Sequence, residues 1–250
     1  MEQAKSKQIN KKEYLKEFFL LAKQLNTPRG IRAKLNSVSN SSSLRLTIIL
    51  QKLGINKSVV KKHNKEPFFL NIGFGDNYQP DCVNTDLVPT FGGMARRFFG
   101  KSYQKPDCYL NVLYLDKHLE NVADGVVFSH VLEHMPPCTS LKVLSTINSY
   151  LKSGGGLRIS VPSISSYENL PIPTDQKLYD YSLAIPLIAK NSLIYRWGHK
   201  FMYDAQLLIA LLEEAGFVNV FEVASEEGFL GNTDVLRRSL ETIYITAFKA

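Results

Sequence analysis

From position 68 onward, short apolar runs alternate with stretches of helical spacing, and this alternation restricts the chain more than any other feature. Runs of this length bounded by turn residues read as strands, and their alternation with helices reads as a mostly parallel α/β sheet. The runs fall at 68–72, 82–86, 108–113, 125–129 and 157–161, several of them apolar throughout, as strands covered on both faces are. A helix is expected over 138–152, with Leu141, Leu144, Ile147 and Leu151 on one side, stopping at Ser153-Gly154-Gly155-Gly156, whose glycines suit a left-handed cap. Another starts at Asp204 as N-cap, buries Leu207, Leu208, Leu211, Leu212 and Ala215, and ends at Gly216. Two further strands, 218–224 and 242–248, have no periodic helix between them, which predicts an antiparallel last strand.

The first 66 residues differ. They hold 15 Lys or Arg against 4 acids, a balance of +11, while the other 184 residues carry −4 within a net charge of +7. Tyr14, Leu15, Phe18, Phe19, Ala22 and Leu25 mark one face of a helix. Residues 36–43 (NSVSNSSS) read as a polar connection, 44–53 as a second short helix ended by Gly54, and 57–67 as a charged linker. No aromatic residues interleave with the basic ones in a stacking pattern, so the charge reads as a solvated helical face. The organisation expected is a basic helical extension over 1–66 packing on a body over 67–250.

Several classes are excluded. The longest apolar runs, 18–22 and the Pro-broken 183–189, fall far short of the roughly 20 residues that span a bilayer. Lys16 and Glu17 interrupt the N-terminal apolar stretch and no small-residue cleavage site follows, which argues against a signal peptide and for a cytoplasmic chain. Cys82, Cys108 and Cys138 stand 26 and 30 residues apart, without metal-ligand spacing, so they are expected as reduced, mostly buried thiols, and no metal is expected.

The residues that carry chemistry gather at strand ends. The first strand runs into Asn71-Ile72-Gly73-Phe74-Gly75-Asp76-Asn77, where the glycines let a ligand approach the backbone. Asp86 ends the second strand, placed to accept hydrogen bonds from both hydroxyls of a ribose. Asn111 follows the third, and the fourth opens into Ser129-His130-Val131-Leu132-Glu133-His134-Met135-Pro136. Ligands of open α/β sheets bind along this edge.

Together these segments resemble class I S-adenosylmethionine-dependent methyltransferases. The glycine loop at 70–77, Asp86 as ribose acid, Asn111 on the adenine side, the run 124–134 (DGVVFSHVLEH), the turn 151–162 and the late segment 199–217 follow the family's order over about 68–224. The nearest likeness is to the branch found with glycan and cell-envelope biosynthesis enzymes. The resemblance implies a Rossmann-like sheet and S-adenosylmethionine as cofactor, bound by Asn71, Gly73, Phe74, Gly75, Asp86, Leu87, Asn111, Val112, Ser129 and His130. Asn71 and Asn111 stand where acids are usual and contribute no negative charge. His199, His134 and His130 are the candidate bases. The acceptor expected is a hydroxyl or amine of a small molecule or a sugar or glycan precursor. It would be recognised by 163–196, which holds Tyr167, Tyr179, Tyr181 and Tyr195, with Trp197 beside it. Oligomeric state is not readable.

Three alternatives stand beside this reading. A nicotinamide dehydrogenase needs the glycine loop to open a helix facing a pyrophosphate, and 76–81 leaves room for under two turns. A nucleic-acid methyltransferase would use the basic segment on phosphates, yet Ser129-His130-Val131-Leu132 stands where its Pro-Pro-Tyr-type tetrapeptide would be. A non-catalytic scaffold keeps the fold alone. The missing crossover helix also leaves one sheet face short of cover, and residues 10–55 are expected to fill that gap, with their basic side chains outward.

Overall fold

The structure is a computed structural model, which describes residues 11, 12, 15, 19, 31–62, 67–89, 104–166, 193–194 and 198–250, without the side chains at 31–41, 61–62 and 237. Seven strands form one sheet: β1 (Phe69–Ile72), β2 (Val83–Asp86), β3 (Cys108–Tyr109), β4 (Ala123–Ser129), β5 (Leu151–Pro162), β6 (Phe217–Val223) and β7 (Thr242–Lys249). Their order is β3-β2-β1-β4-β5-β7-β6, with β7 antiparallel to both of its neighbours and the other pairs parallel. The fold is the Rossmann-like sheet expected, including the reversed last strand. Among the described residues four α-helices accompany it: α1 (Ile31–Lys52), α2 (Lys57–Lys62), α3 (Ser140–Tyr150) and α4 (Ala205–Glu214).

The two faces of the sheet differ in chemistry. Leu70, Ile72, Val126, Phe128, Leu157 and Ile159 project to one side and join Val143, Leu144 and Ile147 of α3 and Leu207, Leu208 and Leu211 of α4 in the apolar core. Asp204 caps α4, its Oδ1 accepting from the Leu207 amide at 2.7 Å, as the sequence predicts. The register puts Asn71, Asn84, Ser129, Arg158, Ser160 and Thr246 on the opposite face, and all but Ser129 are at most 2 % exposed. The strands are therefore not apolar on both sides. Buried polar groups need partners, and an irregular segment rich in free carbonyls supplies them better than an apolar helix.

That segment is 224–241, between β6 and β7. Arg158 donates from Nε to Asp234 Oδ1 (3.0 Å), from Nη2 to Asp234 Oδ2, and from Nη1 to the Glu227 carbonyl (2.8 Å), with its guanidinium 4.9 Å from the Tyr244 ring. Phe229 lies over Gly125 and Gly156 so closely that a Cβ on them would stand 2.8 and 2.5 Å from its ring. At the other end, Asn77 and Gln79 side-chain amides donate to the Thr233 carbonyl at 3.3 and 3.1 Å. The first crossover helix is absent, as expected, and among the described residues 224–241 covers the polar face of the sheet; most of 10–30 lies outside the described residues.

Several local expectations change. The NSVSNSSS run lies within α1 and is no connection, and 57–62 of the expected linker is helical. The helix over 138–152 is α3 preceded by a 3₁₀ turn at Pro137–Thr139, and the glycine run belongs to an irregular opening of β5. The extended stretch over 108–113 is only two residues long. Cys82 and Cys108 are buried, and burial pushes both thiols up to about 12, whereas Cys138 is exposed. The Tyr14–Leu25 face falls mostly outside the described residues; Leu15 packs on the core, and Lys11 pairs with Glu213 of α4 at 2.7 Å. No helix among the described residues is long and apolar enough to cross a membrane.

α1 reverses its expected polarity. Ser43, Thr47 and Gln51 are buried, while Leu46, Ile49 and Leu53 are exposed. The buried side meets main chain rather than apolar surface: Ser43 Oγ donates to the Val88 carbonyl, Thr47 Oγ1 accepts from the Val88 amide (3.0 Å), and Gln51 Oε1 accepts from the Asn111 amide (2.9 Å). α1 therefore lies across the ends of β2 and β3, beside two of the sequence-predicted binding residues.

Candidate active site

The turn after β1 is held from below. Asn71 Nδ2 donates to the Asn77 carbonyl (2.7 Å) and to Asn84 Oδ1 (2.9 Å). Asn84 accepts from the Gln79 amide and donates to the Gln79 and Cys82 carbonyls. Asn71 thus braces the loop from the buried sheet face and does not line the cavity above it. An amide does this where a carboxylate would not, because bracing these two oxygens takes a donor. The Gly73 and Phe74 amides both donate to the Thr85 carbonyl, at 2.8 and 3.2 Å, fixing the turn against β2.

Both glycines adopt left-handed backbone, with φ of +68° at Gly73 and +53° at Gly75. They differ in what a side chain would meet: a Cβ on Gly73 would lie 2.8 Å from Val131 Cγ2, and one on Gly75 would project into open space. Gly73→Ala is expected to destabilise the chain by about 2–4 kcal/mol through strain plus overpacking. Gly75→Ala should cost only about 1 kcal/mol of strain. Denaturant titration checks the difference; equal losses would contradict this geometry.

Gly73, Phe74, Gly75, Asp76 and Asn77 form one wall of a cavity of ≈ 680 Å³; Ser129, His130 and His134, with Val235 and Arg238, form the rest. Of the sequence-predicted site residues, Gly73, Phe74, Gly75, Ser129, His130 and His134 come together at this cavity. The sequence missed Asp76, Val235 and Arg238, and treated Asn77 only as a turn residue. The 225–241 segment has no periodicity, so its contribution left no signal; only the position of Asp76 and Asn77 inside the glycine loop pointed to them.

His130 follows β4 with φ +53°, a conformation that costs a non-glycine residue about 1–2 kcal/mol. That backbone turn sets its Nε2 3.2 Å from Thr242 Oγ1 and its Nδ1 3.4 Å from Glu133 Oε1. Glu133 is completely buried between histidines. Burial raises its pKa, and the His130 and His134 rings beside it more than offset this, leaving it below the ordinary glutamate range. The Glu133 carbonyl accepts from the Lys200 and Phe201 amides at 2.7 and 3.3 Å, which brings the late segment back to the site. His199 consequently stands edge-on to His134, ring centroids 4.8 Å apart. Burial lowers the His199 pKa, against the pull of Glu133. Tyr203 of the same segment is held by Ser140, oxygen to oxygen 2.6 Å. His199 is not in the cavity wall; it sits behind His134.

The other predicted residues form a separate group under α1. Asp86 Oδ1 accepts from the Leu87 amide (2.7 Å), and the Asp86 carbonyl accepts from Leu110 N (3.0 Å). Asn111, next to Val112, accepts from Leu113 N through Oδ1, but its Nδ2 is buried without a partner among the described residues. These four residues do not line the ≈ 680 Å³ cavity. Of the acceptor segment, 167–192 and 195–197 lie outside the described residues, including Tyr167, Tyr179, Tyr181, Tyr195 and Trp197.

The sheet order, the glycine turn and the acid at the next strand end define a class I S-adenosylmethionine-dependent methyltransferase. A family profile described as a methyltransferase domain matches residues 64–222, and the chain belongs to that family. Its cofactor is S-adenosylmethionine. No curated protein matches the chain. Among solved structures, it is similar to an S-adenosylmethionine-dependent methyltransferase from Archaeoglobus fulgidus at 17 % identity, over 81 % of this chain and 94 % of that one, with a TM-score of 0.44. It is also similar to the 16S rRNA (adenine(1408)-N(1))-methyltransferase from Catenulisporales acidiphilia at 17 % identity, over 78 % and 93 %, TM-score 0.40. Human N-acetylserotonin methyltransferase matches at 18 %, over 85 % and 57 %, TM-score 0.42.

The residues present fit the cofactor. A Cβ at Gly75, in the cavity wall, would project into open space, and the Asn111 amide nitrogen is buried without a partner among the described residues.

Proposed function

We propose that the chain methylates a hydroxyl or amine of a small-molecule or sugar-type acceptor that enters between the Gly73–Asn77 turn and His130, His134 and Arg238. When bound, S-adenosylmethionine supplies a methyl group activated by its sulfonium leaving group. The protein's part is then alignment, worth about 7–11 kcal/mol in well-oriented systems, and removal of the acceptor's proton, worth about 10²–10⁴-fold. Gly73, Phe74, Gly75 and Ser129 hold the donor side, with Asp86, Leu87, Asn111 and Val112 taking the nucleoside end. His130, in the cavity wall, takes up the proton, with Glu133 Oε1 3.4 Å from its Nδ1. The observation that carries this reading is one cavity, of a size typical of small-molecule sites, with the Gly73–Asn77 turn on one wall and imidazoles on another.

Incubation with methyl-labelled S-adenosylmethionine and a cell extract tests the acceptor class. Label is expected in the low-molecular-mass fraction; label in the RNA fraction would overturn this reading and point to the basic N-terminal segment.

A further inference from the structure

We propose that Glu133, His134 and His199 bind a divalent transition-metal ion at the acceptor side of the cavity. The argument starts from polar groups without partners. Both Glu133 carboxylate oxygens and His199 Nδ1 are buried without a hydrogen-bond partner among the described residues, although the Glu133 side chain is 0 % exposed. His134 Nε2 lies 3.9 Å from Glu133 Oε1, and one donor atom from each of the three residues lies within 4.8 Å of the others. A buried carboxylate without a short hydrogen bond is an unfavourable feature for an interior to hold. His130 and His134 offset its charge only at 3.4 and 3.9 Å, and neither contact uses the lone pair on His199. What converges here is an excess of electron-pair donors, and a cation satisfies all of them at once.

The donor set selects the class of ion. Two imidazole nitrogens and one carboxylate oxygen suit first-row transition ions such as Zn²⁺ better than Mg²⁺, which prefers oxygen ligands and water. Donors on one ion at about 2.1 Å stand roughly 3.4 Å apart in a tetrahedron. The observed set is that arrangement opened by about an ångström, and the exposed His134 ring is free to close it by rotation. Three protein ligands leave a position open, and His134 places that position at the cavity wall. Sequence spacing gives no warning, because Glu133 and His134 stand 66 and 65 positions from His199.

The ion would polarise an acceptor hydroxyl and ease departure of its proton. That role rests on the methyl-transfer reading; binding of the ion does not. The test is calorimetric titration of the chelator-stripped full chain with Zn²⁺, with Mg²⁺ in parallel, for the native chain, Glu133→Gln and His199→Ala. One equivalent of Zn²⁺ is expected, with affinity falling at least about 100-fold in His199→Ala and in Glu133→Gln where that variant folds. Absence of binding in the native chain, or binding undiminished in His199→Ala, overturns the proposal. Zn²⁺ binding without methyl transfer to any hydroxyl would instead remove the acceptor reading and leave the site standing.

Discussion

Asp234→Ala is expected to destabilise the chain by about 3–5 kcal/mol, the range seen when one member of a buried ion pair is removed. Arg158 and Asp234 are only 1 % and 2 % exposed, so the guanidinium left behind would be buried with its charge unbalanced. The loss should exceed that of any surface pair, including Lys11–Glu213, whose partners are both about half exposed. Asp234 also accepts from the Glu226 amide at 2.8 Å, so it closes the 226–234 loop as well as anchoring it. Because Val235 and Arg238 of the cavity follow directly, cofactor affinity should fall together with stability. A double replacement, Arg158→Met with Asp234→Leu, should recover much of the stability, since apolar pairs of similar volume commonly substitute for buried ion pairs. Denaturant unfolding of the three variants decides it: a loss below about 1 kcal/mol in Asp234→Ala would mean that 224–241 is held by other contacts.

Asp86→Ala should act in the opposite way, on binding rather than on folding. Its carboxylate is half-buried at the end of β2 and accepts from the adjacent Leu87 amide, a contact that survives in solvent at little loss. Two hydrogen bonds to a charged acceptor are worth about 2–3 kcal/mol, so affinity for S-adenosylhomocysteine should fall about 30- to 150-fold with little change in melting temperature. Unchanged affinity would show that the ribose lies elsewhere, and that the group beneath α1 serves only to seat that helix.

The parts legible in the sequence are those written in local pattern. The β1 glycine turn, the α4 cap at Asp204 and the order of the strands along the chain follow from residues a few positions apart; β1, β2, β4, β6 and β7 lie within about two residues of their expected bounds, whereas β3 is four residues shorter and β5 starts six residues earlier. What escaped depends on partners far along the chain. Nothing in the 157–161 run marks Arg158 out, because its partner Asp234 stands 76 positions later and meets it on the polar sheet face. α1 looked like a helix with an apolar buried side, yet it rests on loop amides and carbonyls, for which Ser43, Thr47 and Gln51 are the fitting contacts. Likewise the Glu133-His134 pair was visible as a motif, but the burial of its carboxylate and the return of His199 depend on the Lys200 and Phe201 amides reaching back across the site. Asn71, a cofactor-binding residue on the family resemblance, is in the structure a brace, which takes an amide donor.

The claim on which the rest depends is that the strand ends around Gly73 and Asp86 bind the methyl donor. Calorimetric titration of the full chain with S-adenosylhomocysteine, with NAD as the control nucleotide, tests it most directly. The account predicts saturable 1:1 binding of S-adenosylhomocysteine, weakened in Gly75→Ala and Asp86→Ala, and no heat from NAD. No binding of S-adenosylhomocysteine at millimolar concentration, or binding of NAD in its place, would contradict it.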